Sequence, residues 1–502
     1  MPHNMDTYLE AYSLFEGGEN MVGITQATGT GKTYLLAQFL YDFCYRLKTK
    51  GPEDEQKPIR SLIIAPSRPL LSQTGRKLYN TLGPNLKNIT ATTYSELLTV
   101  TDEDLAQHFD FIAIDEFHRL GAEKWGPAVQ KILDANPNAK ILGLTATPVR
   151  FLDEARDMGE EFFNGVVVQG PSIGEAIKLG ILPKPKYVLG FYSYKETIKD
   201  LESAVNQCKD LKTKDFLETL LREAKREAIN MESLEEIIAR NIKEAEQTQG
   251  GGFVDGKYIA YCTDVNHSKE VIAQLPKLLS STNKDIHIYT VNYTMGKEAI
   301  QEQINAFEND NSGAIKVMVA IHMFDEGFHL KGVKGVFCFS NTTSPNRHLQ
   351  RIGRTLDADN QEHQPLIFDM VSNLSCLRFF GKSCASQSGE NDADFNSDEY
   401  VSPFKDLPFD VDERTLTLAE LLARLDFEVA KSRSPEQWIK LFEEYFNENP
   451  NATYIPMSEP TLWSKMDHLK RSYDNGQGNT SANEQKIIDW FISTGRENIL
   501  LT

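Results

Sequence analysis

Residues 21–33 have the sequence MVGITQATGTGKT, and this stretch decides the fold of the 502-residue chain. A short apolar run, Met21–Thr25, precedes the glycines, and the apolar-rich segment Tyr34–Leu47 follows them. This order predicts a strand, a phosphate-binding loop and a helix. The glycines let backbone N–H groups turn toward phosphate oxygens, and the helix N-terminus adds partial positive charge. The predicted phosphate site consists of Thr28, Gly29, Thr30, Gly31, Lys32 and Thr33.

The end of this loop has two predicted roles. Lys32 is expected to reach the β- and γ-phosphates of a nucleotide, and Thr33 is expected to bind Mg²⁺ through its hydroxyl. The loop departs from the strict pattern at one position, because Gln26 stands where that pattern has glycine.

Short apolar runs alternate with segments of helical period on both sides of this loop. Runs of this length without polar alternation predict strands buried on both faces, and their alternation with helices predicts parallel sheets. The pattern occurs twice, so we predict an α/β chain with two parallel-sheet domains in tandem. The predicted strands are Met21–Thr25, Ser61–Ala65, Phe111–Ile114 and Ile141–Leu144, and then Lys257–Cys262, Ile286–Val291, Ile315–Ile321, Val333–Phe339 and Leu366–Phe368.

The rest of the chain predicts connecting and terminal segments. Residues 195–249 are rich in Glu and Lys with apolar residues at helical spacing, which indicates a helical insertion. It is either a packed hairpin or an arm that touches substrate. The stretch 383–398 is rich in Ser, Asn and Asp and predicts an acidic linker. The predicted division is a first domain at 1–190, the insertion at 191–252, a second domain at 253–382, the linker at 383–414 and an all-helical module at 415–502.

Composition excludes several classes of protein. Hydrophobic residues make up 40% and charged residues 25% of the chain, which is typical of globular domains. No apolar stretch approaches the roughly 18 residues of a membrane span, and the first residues do not resemble a secretory signal. The six cysteines are scattered without a CxxC pair, which favours a reducing cytosol. The net charge of −19 weighs against a broad phosphate-binding surface.

A pair of acids ends another predicted strand. Asp115 and Glu116 follow the apolar run Phe111–Ile114, and burying acids there is costly unless a cation lies nearby. We expect Asp115 to bind Mg²⁺ and Glu116 to orient and deprotonate an attacking water. His118 is expected to link this strand end to the segment around Thr145.

These segments together resemble the ordered motifs of superfamily 2 helicases, in particular the bacterial DEAD/DEAH-box-like group. The resemblance covers about residues 15–380. It rests on Ala27–Thr33 (motif I), Ile63–Gln73 (Ia), Thr92–Tyr94, Asp115–His118 (II), Leu144–Pro148 (III), Tyr258–Cys262 (IV), Met323–His329 (V) and Gln350–Arg354 (VI).

The resemblance implies two RecA-like lobes that hold Mg-ATP between them. Arg354 is expected to act as an arginine finger with Gln350 beside it, and Gly327 is expected to line the nucleotide site. Thr145 and Thr147 would transmit the state of the nucleotide to the nucleic-acid contacts. The expected nucleic-acid contacts are Arg68, Gln73 and Thr93.

The chain departs from the family pattern at three places. Asp357 stands where a second arginine often follows the finger, and His329 stands where motif V often has aspartate. The glutamine that usually recognises adenine has no clear counterpart, although Pro2-His3-Asn4 resembles the start of that element and Asn4 could take part.

The C-terminal module resembles the bacterial helicase-associated domain more loosely. Trp438, Trp463 and Trp490 match its aromatic spacing. Lys465, Lys470 and Arg471 near Tyr473 predict a stacking and phosphate-binding surface. The alternative is a small helical core with solvated lysines.

The function implied by the resemblance is ATP-dependent unwinding of, or movement along, nucleic acid, with DNA favoured over RNA. Two alternatives stay open. The chain could be the motor of a restriction or defence complex whose nuclease lies on another chain. It could also be an ATP-gated clamp that hardly hydrolyses ATP, an alternative suggested by Asp357.

Overall fold

A computed structural model describes most of the chain. The described residues are 2–43, 59–66, 68–82, 88–99, 108–150, 156–189, 194–321, 330, 332–340, 348, 351–356, 363–371, 400, 402, 404–405, 407–450, 452–455, 460–474 and 481–501. The described strands are β1 (Met21–Thr25), β2 (Ser61–Ala65), β3 (Ile89–Thr93), β4 (Phe111–Asp115), β5 (Lys140–Thr145), β6 (Val149–Arg150), β7 (Arg156–Asp157), β8 (Val167–Gln169), β9 (Lys186–Leu189), β10 (Lys257–Cys262), β11 (Ile286–Val291), β12 (Ile315–Ile321), β13 (Val333–Cys338), β14 (Leu366–Asp369) and β15 (Asp410–Val411).

The described α-helices lie before, between and after these strands. They are α1 (Met5–Glu16), α2 (Lys32–Tyr41), α3 (Arg68–Leu82), α4 (Tyr94–Leu97), α5 (Trp125–Ala135), α6 (Met158–Phe163), α7 (Ile173–Lys178), α8 (Tyr194–Asn206), α9 (Leu211–Asn230), α10 (Leu234–Gln249), α11 (Val265–Leu278), α12 (Lys297–Asn309), α13 (Glu413–Ser432), α14 (Pro435–Glu448), α15 (Pro460–Asp474), α16 (Ala482–Ser493) and α17 (Asn498–Leu501).

The first sheet has the strand order β3-β2-β4-β5-β1-β8, and its neighbouring strands are parallel. Apolar residues cover both faces, with α1 and α2 on one side and α5 and α6 on the other. This confirms the prediction that the β-branched runs form strands buried on both faces. Because the strands are parallel, the loops that follow β1, β2, β3, β4 and β5 all lie at the same edge of the sheet.

The second sheet has the order β11-β12-β10-β13-β14-β9-β15, again with parallel neighbours. Strand β9 belongs to this sheet, because Lys186–Leu189 pairs with Leu366–Asp369. The predicted first domain, which ran to residue 190, therefore extends too far. The physical reason is that Tyr187, Val188 and Leu189 are buried in the core of the second sheet.

The helical segments divide differently from the sequence prediction. Helix α10 packs against the second sheet, whereas α8 and α9 share an apolar core with α13. The predicted boundary at residue 415 lies inside α13, and β15, which pairs with β9, lies inside the predicted linker. Helices α14 to α17 have a separate core of their own. The residues 383–398 lie outside the described part of the chain.

The two lobes touch through the phosphate loop. Ala27 of this loop shares an apolar cluster with Ile352 and Leu356 of the second lobe and with α7. Gly29 has a positive φ of 84°, and a Cβ placed there would lie 2.4 Å from the carbonyl oxygen of Leu356. Only glycine therefore satisfies both the backbone conformation and the close approach of the second lobe.

Candidate nucleotide-binding site

The phosphate loop ends at the start of a helix. Gly31 is the N-cap of α2 with a φ of 99°, and it has no side chain to cap the first N–H groups of the helix. Uncapped N–H groups and the helix dipole together favour an anion at this point. The Nζ of Lys32 donates to the carbonyl oxygen of Gln26 over 3.1 Å. This position allows the ammonium to exchange the carbonyl for a phosphate oxygen.

Gln26 joins the N-terminal turn of the chain to the phosphate loop. Its buried Nε2 lies 2.8 Å from Asn4 Oδ1 and 2.7 Å from Thr30 Oγ1. His3 Nε2 lies 2.8 Å from the carbonyl oxygen of Thr30, and Asn4 Nδ2 donates to that of Gly31 over 3.4 Å. The sequence prediction assigned no role to Gln26. Its departure from the strict glycine pattern was the available signal.

Asp115 and Glu116 lie where β4 ends. Glu116 has a φ of 53°, a left-handed conformation that costs about 1–3 kcal/mol for a residue other than glycine. The buried Tyr94 hydroxyl stabilises this turn, since it lies 2.9 Å from the carbonyl oxygen of Asp115 and 3.3 Å from that of Glu116. The turn sends the two carboxyl groups into the cleft beside Lys32.

The two carboxyl groups have opposite pKa shifts. Burial, together with the negative charge of Glu116, raises the pKa of Asp115 to about 7. Burial also acts to raise the pKa of Glu116, but the charge of Lys32, the hydrogen bond from His118 and the charge of Arg354 hold it below its usual range. Glu116 is therefore ionised at neutral pH, and a further cation beside Asp115 would favour the charged form of that carboxyl group.

A divalent cation fits this arrangement. Carboxylate and hydroxyl oxygens are suitable Mg²⁺ ligands, and Mg²⁺ sites are commonly completed by phosphate oxygens and water. Asp115 and Thr33, at the start of α2, are the residues that would hold the ion. In the part of the chain that the structure describes, no group of three or more His, Cys, Asp or Glu side chains could hold a metal ion by itself.

His118 and Thr145 connect the carboxylate to the end of β5. His118 Nδ1 lies 2.9 Å from Thr145 Oγ1 and 3.4 Å from Glu116 Oε2. The Thr145 hydroxyl also lies 3.3 Å from Glu116 Oε2 and 2.8 Å from the carbonyl oxygen of Thr147. These distances match the predicted link between the acidic pair and the Thr145–Thr147 segment.

The second lobe supplies a cation to the same carboxylate. Gly353 lies against Thr28, because a Cβ built on the glycine would be 3.2 Å from the Thr28 Cβ. The next residue, Arg354, is only 5% exposed. The charges of Lys32 and Arg354 both lower the pKa of Glu116. Lys32 and Arg354 therefore belong to one cleft. Gln350 and Gly327, together with the departures Asp357 and His329, lie outside the described residues.

The predicted nucleic-acid contacts have different surroundings. Arg68, at the start of α3, forms an ion pair with Glu96, and its side chain is still 61% exposed. Thr93 is buried, and its hydroxyl accepts from the Glu96 N–H as the N-cap of α4. The structure thus assigns the Thr93 hydroxyl to helix capping instead of a free contact surface. For Gln73 the structure describes the backbone alone.

The predicted stacking surface of the C-terminal module is partly occupied. Lys465 Nζ lies 5.7 Å from the centre of the Trp438 ring and 4.0 Å from Glu484, and burial lowers the pKa of Lys465. Trp438 itself is buried in the module's core. Lys465 therefore contributes to packing. For Trp463 and Arg471 the structure describes the backbone alone.

Two parts of the chain match known families. Residues 3–150 match the family described as the res subunit of type III restriction enzymes, and residues 253–359 match the helicase conserved C-terminal domain. The chain is 24% identical over 420 residues to the type I restriction enzyme EcoAI endonuclease subunit of Escherichia coli, which covers 79% of this chain and 48% of that protein. The chain thus spans about half the length of this relative.

Two further similarities extend along much of the chain. It is 25% identical over 352 residues to the DNA 3'-5' translocase XPB2 of Sulfurisphaera tokodaii, covering 62% of this chain and 72% of that protein. A solved structure of the ATP-dependent type ISP restriction-modification enzyme LlaBIII bound to DNA aligns with a TM-score of 0.51 at 14% identity. It covers 99% of this chain and 40% of that one, and this likeness shows the fold alone.

None of the described helices is both long and apolar enough to cross a membrane.

The two family matches lie on the two lobes, in the order in which the lobes follow each other along the chain. The phosphate loop, the Asp115–Glu116 pair and Arg354 lie in one cleft between these lobes. Two RecA-like lobes around such a cleft, each with its own family match, make this chain a member of superfamily 2 of the helicases.

Proposed function

We propose that the chain is an ATP-driven motor that unwinds or moves along nucleic acid, with DNA favoured over RNA. The observation that supports this most directly is that cations from both lobes act on Glu116 where Gly353 of the second lobe lies against Thr28 of the phosphate loop. Lys32 comes from the phosphate loop and Arg354 from the second lobe, and both lower the pKa of the same carboxyl group. A triphosphate in this cleft would meet both cations at once.

Each residue of the cleft has a distinct part in hydrolysis. The N–H groups at the start of α2 and the Lys32 ammonium bind the β- and γ-phosphates. Ionised Glu116 orients the attacking water and accepts its proton. Arg354 neutralises the charge that develops on the transferred phosphoryl group. Bound through Asp115 and Thr33, Mg²⁺ would supply further charge neutralisation on the phosphate oxygens.

The coupling of hydrolysis to movement follows from the lobe contacts. Bound ATP attracts Arg354 toward the phosphate loop and favours closure, and loss of the γ-phosphate removes that attraction. Thr145 and His118 both contact the Glu116 carboxylate. They lie at the sheet edge that also carries Arg68. Closure and opening would therefore shift the nucleic-acid contacts of one lobe relative to those of the other.

A motor subunit of a restriction complex is the second candidate. The relative from Escherichia coli is named as a subunit of a type I restriction enzyme, and the chain spans about half of it. We infer that a nuclease could act beside this motor, either on another chain or on a further segment. The clamp alternative depends on Asp357, which lies outside the described residues.

An ATPase titration tests the proposal. Turnover of the full chain is measured with single- and double-stranded DNA and with single- and double-stranded RNA, at several salt concentrations. We expect stimulation of at least about ten-fold by one of these, with DNA most effective. Stimulation should weaken steeply with salt, because binding to phosphates releases counterions. Lys32→Ala should abolish both stimulated turnover and ATP binding.

Other outcomes separate the candidates. Tight ATP-dependent binding of nucleic acid without turnover would contradict the motor and favour a clamp. Turnover on double-stranded DNA without strand separation favours translocation in the service of a nuclease. Displacement of a triplex-forming strand measures that movement directly.

Removal of the terminal helical module should separate binding from hydrolysis. The cut belongs before Ser434, because α13 packs on α8 and α9 whereas α14 to α17 have their own core. We predict that a chain ending at Arg433 binds nucleic acid about ten-fold more weakly, which is the effect expected from the loss of one aromatic side chain that stacks on a base. Basal ATP turnover should change less than about two-fold. Fluorescence anisotropy of labelled DNA measures the binding, and unchanged affinity would leave the module as packing alone.

A further inference from the structure

A buried polar cluster lies in the second lobe, and none of its members has been given a role in the cleft. It consists of Tyr187, His348, Arg351 and Asp369, all of which are 0–1% exposed. The Tyr187 hydroxyl donates to Asp369 Oδ2 over 2.8 Å and lies 3.2 Å from His348 Nε2. Burial of a polar group raises the free energy of the folded state unless the group is hydrogen-bonded. A cluster of four such side chains in an apolar core therefore indicates a specific role.

The cluster belongs to the segment that ends in Arg354. His348, Arg351 and Arg354 follow one another at intervals of three residues, which is close to one helical turn. Residues 351–353 are helical, and the Arg354 N–H donates to the carbonyl oxygen of Arg351 over 3.2 Å. Fixing His348 and Arg351 therefore fixes the rotation of the turn that presents Arg354.

The partners of this segment are anchored on neighbouring strands. Asp369 ends β14, and Tyr187 lies on the adjacent β9. Arg351 Nη1 donates to Ser340 Oγ over 2.7 Å, just beyond β13, and its guanidinium lies 5.1 Å from the centre of the Tyr261 ring on β10. The turn is thus tied to the carboxyl ends of the strands at the centre of the second sheet.

The histidine donates in this arrangement. Because the Tyr187 proton goes to Asp369, the Tyr187 oxygen accepts from the Nε2–H of His348. Burial and the nearby charge of Arg351 lower the pKa of His348 to about 3. The imidazole is therefore neutral at physiological pH, and the cluster needs no change of charge to persist.

We propose that Tyr187 is a positioning residue that acts through His348 and Asp369 to aim Arg354 at the phosphates. Tyr187 does not touch the nucleotide. It sets the rate of hydrolysis by fixing the turn that carries the finger. This inference rests on the proposed role of Arg354, and its test distinguishes the two.

Tyr187→Phe removes only the hydroxyl and keeps the ring, whose centre lies 5.4 Å from that of Phe409. We expect kcat for stimulated ATP hydrolysis to fall about ten-fold, as for one hydrogen bond in a catalytic assembly. The KM for ATP should change less than about two-fold, because the phosphate loop is intact. The thermal midpoint is recorded alongside, so that a folding defect is recognised.

Tyr289→Phe is the matched control in the same sheet. The Tyr289 hydroxyl donates to Asp310 Oδ2 over 2.7 Å, and His287 Nδ1 lies 2.7 Å from the same oxygen. The same three residue types therefore meet beside the edge strand β11, which carries His287 and Tyr289, away from the Arg354 segment. We expect this variant to keep the kcat and KM of the parent chain.

A second pair of variants tests the histidine. His348→Gln retains a side-chain N–H that can donate to Tyr187, and it should keep most of the activity. His348→Leu retains bulk without a donor, and it should match Tyr187→Phe. If His348 had only a structural role, His348→Gln and His348→Leu would both lower the thermal midpoint, and their kcat values would not differ.

A double variant that combines Tyr187→Phe with Arg354→Ala tests whether Tyr187 acts through Arg354. If it does, Tyr187→Phe adds no further loss to the residual turnover of Arg354→Ala. Equal losses in Tyr187→Phe and Tyr289→Phe, or additive losses in the double variant, overturn the inference and leave the proposed function intact. Full turnover by Arg354→Ala overturns both.

Discussion

Replacing Glu116 by glutamine lowers nucleic-acid-stimulated ATP turnover by about 10²–10⁴-fold, the range typical of a lost general base. The change preserves the shape of the side chain and removes the negative charge that Lys32, His118 and Arg354 stabilise. ATP should still bind, because the phosphate loop is unaltered and one repulsive charge near the γ-phosphate is gone. Steady-state turnover and the affinity for a labelled ATP analogue are measured on the same preparation.

Two controls make this result interpretable. Lys32→Ala should lose ATP binding as well as turnover, since it removes the ammonium that binds the phosphates. Glu161→Gln, in the exposed ion pair with Arg156 on the same lobe, should behave like the parent chain. Loss of ATP binding in Glu116→Gln equal to that in Lys32→Ala would contradict the assignment of Glu116 to the water.

Replacing Arg354 by alanine has the second large expected effect. Turnover should fall by about 10³–10⁵-fold, the contribution of an arginine finger to phosphoryl transfer, while the affinity for ATP changes only a few-fold. The reason is that the guanidinium comes from the second lobe and meets the phosphates when the cleft closes on them. Pre-steady-state hydrolysis and equilibrium binding of ATP provide the two measurements.

The buried position of Arg354 requires care in the choice of variants. Arg354→Lys keeps the charge without the guanidinium fork, and it should also be impaired, since lysine cannot make the paired hydrogen bonds. Arg414→Ala removes an exposed arginine paired with Glu232 and should leave turnover unchanged. Equal loss of ATP binding and hydrolysis in Arg354→Ala would refute its role as a finger.

Much of this arrangement follows from local sequence. The order of strand, glycines and Lys32 forces the loop conformation, and the apolar run before Asp115 forces that strand to end in the cleft. The sequence also indicates a capping box at Thr93, because Glu96 follows it by three residues. The capping role was therefore predictable from the residues alone.

Other features depend on contacts between distant segments. Lys186–Leu189 is too short to reveal which sheet it joins, and its partners lie far along the chain at Leu366–Asp369 and Asp410–Val411. The role of Gln26 depends on the N-terminal turn folding back onto the loop. Pairing over such separations is decided by packing and not by local propensity.

The placement of β9 in the second sheet affects how the nascent chain folds during synthesis. During synthesis this strand leaves the ribosome long before either of its neighbours, β14 and β15, exists. Until they arrive, its apolar side chains and open backbone edge need protection from other chains. The second lobe therefore cannot complete its sheet until Val411 has emerged, and chains truncated before that point should aggregate.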